Sequence, residues 1–334
     1  MAARATNEPT NYFAVGKQSA KGQDDATFHY LRHLDGTGLE VSEDVESVRE
    51  GGDGQEVGLR YKTAVNMDGN AVANARAEIA ARMLAWTLGA DAATTPNLLA
   101  TVASGVANEH IITPAATLPY LSAEQFYADQ VERGLDMKST QLEIEFEQGR
   151  PLKMTMSLLG GGSAYFPASP GSATRETGKP FFYPGASLVF DGSANTKFTK
   201  GKITIKRGVD DGIRTNSLAR EDVVETNFDV DFEGTFKYEN ADFYDKAHAG
   251  AAGGSQIPID LASTGFSIHL AQGAGTTYRE LNIFLKQLDV TGARVNKLDP
   301  DGKTMYYDVA AMGLKGATHQ VHAKVVTASV AALA

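Results

Sequence analysis

The stretch VETNFDVDFEGTFKY, Val224 to Tyr238, alternates along its whole length. Val224, Thr226, Phe228, Val230, Phe232, Gly234, Phe236 and Tyr238 fall on one face, and Glu225, Asn227, Asp229, Asp231, Glu233, Thr235 and Lys237 on the other. Period two sustained over this length predicts a long β-strand with one buried and one solvated face. Asp229, Asp231 and Glu233 follow one another on the wet face, where like charges repel and cost stability unless neighbouring strands compensate. Such a strand suits the wall of a water-filled channel, and also the outer surface of a β-sandwich.

Upstream, Val57 to Met67 alternates in the same way, with Arg60, Lys62, Asn66 and Asp68 on its wet face. Asp68-Gly69-Asn70 reads as a break, after which Val72, Ala75, Ile79, Met83 and Trp86 recur at helical spacing and predict a helix over 71–88, closed by Gly89. Ser122 to Arg133 carries a capping-box pattern and predicts a short helix, and 241–252 a third that fails in the glycines of AHAGAAGG. Leu142, Ile144 and Phe146, the turn at 148–151, and Leu152, Met154, Met156 and Leu158 predict a hairpin. Further strands are expected at 27–34, 186–190, 202–206, 266–270, 278–290, 305–312 and 318–326, with a turn at 298–303. Residues 49–56 and 207–222 read as exposed polar loops, and 1–26 as an arm that orders against something else. The domain boundaries that follow are an N-terminal arm 1–26, a first β domain 27–166, a linker 167–185 and a second β domain 186–334.

Composition narrows the function. The chain of 334 residues has 42% hydrophobic and 22% charged residues, enough to bury a core. A formal charge of -10 argues against gripping nucleic acid through its phosphates, although it suits a surface that encloses nucleic acid and repels it. Cysteine is absent, which removes disulfides and thiolate chemistry. MAARATNEPTNYF has no apolar signal core, and no apolar run reaches the length of a membrane helix, so a soluble, cytoplasmically assembled protein with no membrane partner is expected. His319 and His322 are spaced to opposite faces of a strand, and His29 and His33 stand roughly 13 Å apart at strand rise. Thr177-Gly-Lys-Pro180 lacks the first glycine and the hydroxyl of a phosphate loop, and Asp299-Pro-Asp301-Gly302 lacks the ligand spacing of a calcium loop. No catalytic, metal or cofactor site is expected, and the chain is read as a non-enzyme.

The two halves follow one plan of strand, charged loop carrying Arg-Glu, long alternating strand, Asn, helix and closing strands. Arg49-Glu50 is set against Arg220-Glu221, and Met67-Asp68-Gly69-Asn70 against Lys237-Tyr238-Glu239-Asn240. This pattern predicts two copies of one β-plus-helix unit, which double the quasi-equivalent wedges of a ring.

The order of NYFAVGKQSAKGQDDATFHYLR, GLRYKTAVNMDGNAVANARAEIAARMLAWTLGA, KSTQLEIEFEQGRPLKMTMSLLGG and the block from Ser187 to Asn240 resembles that of tail tube proteins of long-tailed bacteriophages. The resemblance covers most of the chain and implies β-sandwiches flanked by a helix, each lending a hairpin sheet to a β-barrel formed by oligomerisation. It implies a virion protein whose rings stack into a hollow tube, with tape-measure, tail-tip and tail-terminator proteins as partners and DNA passing without specific binding. Asp229, Asp231, Glu233 and Glu225 would then face the lumen, with Arg60 and Lys62 diluting the negative wall of the first half. Arg49, Glu50, Arg220 and Glu221 would join rings. Trimeric, pseudo-hexameric rings fit a duplicated chain better than hexameric rings. A soluble β-sandwich binding or adhesion module on a virion surface is the alternative.

Overall fold

The computed structural model describes residues 11–48, 59–94, 108–127, 130–160, 173–176, 178–182, 186–190, 193–194, 197–210, 218, 220–237, 245, 263–273, 278–295, 306–313 and 319–327. In chain order the first part holds β1 (Asn11–Lys17), β2 (Thr27–Leu31), β3 (Gly38–Val48), β4 (Leu59–Asn74), the helix α1 (Ala77–Leu88), β5 (Gly89–Thr94), β6 (Asn108–Pro114), β7 (Leu121–Tyr127), β8 (Gln130–Glu147) and β9 (Lys153–Gly160). Then follow β10 (Ala173–Arg175), β11 (Ala186–Phe190), β12 (Ser193–Ala194), β13 (Phe198–Asp210), β14 (Val224–Lys237), β15 (Ser263–Gln272), β16 (Arg279–Val295), β17 (Tyr306–Gly313) and β18 (Val321–Thr327). The described residues are mainly strand, as the sequence predicts.

One path through this sheet is built twice. Strands β3, β4, β9 and β8 are neighbours in that order, and β13, β14, β17 and β16 repeat it. Outside them, β1 pairs with β7 and β7 with β8, as β11 pairs with β15 and β15 with β16. Three of the irregularities also match, while the slip between Phe198 and Lys200 has no counterpart in the β3–β4 ladder. Register slips between Leu121 and Ala123 and between Thr264 and Phe266, between Ser139 and Gln141 and between Val290 and Gly292, and between Asp44 and Val45 and between Arg207 and Val209. At the second of these slips a threonine is left over in each unit: the Thr140 hydroxyl donates to the Ser157 carbonyl and the Thr291 hydroxyl to that of Ala310. A bulge bends its strand and raises local twist. The slip in β8 and β16 therefore turns each long strand from its β7 or β15 neighbour towards its β9 or β17 neighbour. Three shared slips on one strand order identify a duplicated unit, although its register differs from the alignment drawn on the sequence. Pairing places Asn66, Asp68 and Asn70 at the positions that Asp229, Asp231 and Glu233 hold in the second unit.

The two units join edge to edge. Residues Gln141–Glu147 of β8 pair with Lys206–Lys200 of β13, so the two four-stranded paths run on as one sheet of eight strands, from β3 to β16. A second suture pairs β18 with β6. The main core is accordingly continuous between the units: Trp86, Met83 and Leu84 of α1 belong to one cluster with Ile144, Ile203, Phe232 and Ile283.

Several expected elements differ. Strand β4 continues through Asp68-Gly69-Asn70 to Asn74, paired with β9, so the helix begins at Ala77 and not at 71. Gly69 is there for close approach: a Cβ on it would lie 2.8 Å from Leu39 Cδ2. Gly89 closes α1 at φ 100°, as expected. Where a helix is expected over 122–133, the described residues are strand, Ser122–Tyr127 in β7 and Gln130–Arg133 in β8, with buried Glu124 accepting from Tyr12 and from buried Arg133. Within the N-terminal arm, Asn11–Lys17 is a strand held between β2 and β7, with Tyr12 to Val15 buried. The linker region is also bound to the first unit. Ala173–Arg175 pairs with β2, Phe181 is buried, and the Glu176 carboxylate accepts from the Glu78 and Ile79 N–H groups at 3.1 and 3.0 Å. It thereby caps a helix whose own N-cap residue, Arg76, makes no side-chain cap bond. Of the expected helix at 241–252 only Asp245 is described, as helical, and the loop at 49–56 and the turn at 298–303 lie outside the described residues.

Candidate functional surface

The alternation of β14 holds from Phe228 onward. Val230, Phe232 and Phe236 are buried, while Asp229, Asp231 and Glu233 stand on the other face. Cross-strand pairs share a face, so the register carries this surface across the sheet. On β13 it presents Lys200, Lys202, Thr204 and Lys206, opposite Thr235, Glu233, Asp231 and Asp229. On β8 it presents Gln141, Glu143, Glu145 and Glu147, opposite the same β13 residues.

A lysine row thus lies between two carboxylate rows. Lys206 Nζ reaches Asp231 Oδ2 at 2.6 Å and Lys202 Nζ reaches Glu143 Oε1 at 3.5 Å, while Lys153 on β9 reaches Glu145 at 3.3 Å. The hydrogen bond that Lys206 donates to Asp231, then the charge of Asp231, raise the Lys206 ammonium pKa above its ordinary value, and Asp229 and Glu233 add to this. This is the compensation that three successive like charges on β14 require. Six carboxylates against four lysines, Lys237 at the end of β14 included, still leave this face of the three strands net negative. The alternating lysines of KGKITIK and glutamates of LEIEFE carry this signal in the sequence, but only the pairing sets them side by side.

The face is concave. A trough of about 1280 Å³ is lined by β8, β13, β14, β17 and β16 together, including Glu145, Lys202, Glu233 and Asp308. One trough lined by five consecutive strands is what a sheet curling towards its charged side produces. In the first unit the row matching Asp229, Asp231 and Glu233 is Asn66, Asp68 and Asn70, beside Glu40 and Asp44 on β3.

The remaining predicted residues fall elsewhere. The slip beside Thr63 changes the phase of β4, so Lys62 lies opposite Val45 and pairs with Glu43, on the side of Val65; Arg60, opposite Ser47, shares that side. The slip at Arg207/Val209 does the same to Glu225. It is turned onto the Leu118 N–H at 2.7 Å and Lys138 Nζ at 3.0 Å, contacts that hold its carboxyl pKa below the usual range despite burial. Arg220 is buried and bonds Asp68 Oδ1 at 3.0 Å and the Gly160 carbonyl at 3.4 Å within its own chain. Glu221 is exposed. Arg49 and Glu50 lie outside the described residues.

Chemistry of other kinds finds little footing. Among the described residues no three metal-ligating side chains gather. His110 Nδ1 lies 2.9 Å from Asp91 Oδ2 and its Nε2 3.1 Å from the Thr327 hydroxyl, an acid–imidazole–hydroxyl chain. The His110 and Asp91 side chains are wholly buried, so no substrate reaches them, and the chain of contacts ties β5, β6 and β18 together.

Compared with known protein families, residues 9–313 match the model described as phage tail tube protein. No curated protein matches the chain.

Proposed function

Because the chain belongs to the phage tail tube protein family, a structural component of the virion tail, we propose that its eight-stranded sheet is one arc of a barrel closed by three chains, with the charged concave face as the lumen. The observation that carries this is the duplicated four-stranded path joined edge to edge inside one chain. Three chains bring six such units and twenty-four strands. At about 4.8 Å between strands and a tilt of about 40°, they close a barrel roughly 50 Å across at the backbone. Two chains would give roughly 33 Å, little of it left between side chains, and six chains would double the width of three.

The rings stack into a tube assembled in the host cytoplasm, together with tape-measure, tail-tip and tail-terminator proteins. Asp229, Asp231, Glu233 and the β8 glutamates repel the phosphate backbone, so DNA passes over a water layer without binding. Arg49 and Glu50, which follow β3 in the sequence, and Glu221, which precedes β14, are the contacts assigned between rings. Arg220 leaves that set, because its guanidinium is spent on Asp68. Electron microscopy of the purified protein, with the mass of any ring measured alongside, tests the reading. Hollow rings of three chains are expected. Rings of six chains would keep the tube and refute the count, and failure to form rings with tail-tip components present would refute the tube.

A further inference from the structure

We propose that the outer edge of β3 pairs with the second half of β16 in a neighbouring copy, repeating between chains the junction that β8 and β13 make within one. This rests on the ring reading and names the surface that closes it. Within the chain, β7 leaves β8 at Met137, and β13 takes over the edge from Gln141. In the second unit β15 leaves β16 at Asp289, and among the described residues no strand takes over the edge at 292–295. Strand β3, the counterpart of β13, pairs among the described residues with β4 alone. The Leu39 N–H is held by Gln125 Oε1 at 2.8 Å, not by β4. Since alternate residues of an antiparallel strand turn their backbone groups to opposite sides, Leu39, Val41 and Glu43 aim theirs outward. At Leu39 the outward N–H is already taken by Gln125, and the edge from Val41 onward is a template for another strand.

The internal junction supplies the register. Ile203, Thr204 and Ile205 face Ile144, Glu143 and Leu142. Their counterparts place Leu39 against Val295, Glu40 against Arg294 and Val41 against Ala293 of the next chain. Glu40 and Arg294 are both exposed and of opposite charge. A second contact of the internal junction transfers as well. Glu225 pairs with Lys138 at 3.0 Å, and the matching positions are Lys62 and Asp289: the charges have changed places and remain opposite. Val45 and Leu59, each 56% exposed, lie on the same end of the β3–β4 hairpin and would be covered by the neighbour. The matching end of β13–β14 is already covered, through Arg207 on the Ala115 carbonyl and Glu225 on Leu118.

The chain has no cysteine, which makes the test clean. Glu40 and Arg294 would form a non-hydrogen-bonded pair with Cα atoms about 4.5 Å apart, within disulfide reach. Glu40→Cys with Arg294→Cys, oxidised as assembled tubes of the full chain, should give a reducible ladder ending at the ring size. Ser42→Cys with Arg294→Cys, one step out of register, should cross-link at least tenfold more slowly. As a second route, Lys62→Glu and Asp289→Lys should each slow assembly at least tenfold, and the double exchange should restore it. Tubes that form without the in-register cross-link, or charge reversals that do not rescue each other, would overturn the seam and leave the ring standing. A wild-type chain that forms no rings would overturn both.

Discussion

The two units share strand order and three register slips, yet almost nothing of their surface chemistry. Where β14 carries Asp229, Asp231 and Glu233, β4 carries Asn66, Asp68 and Asn70; where β8 carries Glu143, β16 carries Arg294. Their interiors differ too. The second unit packs Phe198, Phe232, Phe236 and Phe266 with ring centroids 4.5–6.4 Å apart, whereas the matching face of β4 has Met67, Gly69, Ala71 and Ala73. What is preserved is the geometry that bends each long strand and sets its edge. Bulges and edges fix how a unit joins its neighbour, and charge is then distributed on that frame.

The comparison is broken most directly at Arg220, which ties the loop of the second hairpin to β4 of the first unit. The buried guanidinium holds Asp68, the row residue common to both units, and Leu218 of the same loop accepts the Val65 N–H at 2.9 Å. Arg220→Ala should lower stability by about 1.5–3 kcal/mol, the range for hydrogen bonds to charged groups, measured by urea melts of the unassembled chain. Loss of ring stacking with unchanged chain stability would return Arg220 to the contacts between rings.

A smaller effect is expected at Glu176, whose task has a described counterpart only in the first unit. Glu176→Ala removes the cap of α1 and should cost about 1 kcal/mol, while Glu176→Gln, which keeps an acceptor, should restore most of it. Burial raises the carboxyl pKa of Glu176 above its usual range, against the pull of the two N–H bonds. The folded state therefore holds this proton more tightly than the unfolded chain. Stability linked to this group is present at low pH and is lost as pH rises through the carboxylate range. The wild type should gain on the Gln variant as pH falls, and a gap that narrows instead would contradict the burial reading.

Periodicity made β14, the β8–β9 hairpin and the end of α1 legible, because each has one wet face or a closing glycine. It failed where both faces are buried: β7 is covered on both sides except at Gln125 and Tyr127, so no period of two survives, and Ser122 to Arg133 looked helical. The slips were invisible for a related reason. A one-residue irregularity costs the pattern nothing locally but exchanges the faces beyond it, which puts Lys62 and Glu225 on the face opposite the charged row. The lysine row of β13 was on the page in KGKITIK, yet its meaning as counter-charge needs β13 between β8 and β14.

The smallest effect tests whether the acidic row matters to the fold at all. Asp229→Asn with Glu233→Asn turns the row of the second unit into the Asn-Asp-Asn pattern of the first, keeping Asp231 for Lys206. Both changed residues are exposed, and each loses a like-charged neighbour as well as a nearby lysine, so the terms oppose. Stability should move by no more than about 0.5 kcal/mol, and rings should form at the wild-type rate. If the row serves passage and not folding, its effect appears only with nucleic acid. Tubes carrying lysine at 229, 231 and 233 should retain duplex DNA at low salt and release it at high salt, while the Asn variant, like the wild type, retains none. Lysine tubes that hold no more DNA than the wild type would remove this row from the lumen, because a positive row on an inner wall cannot be silent towards a polyanion.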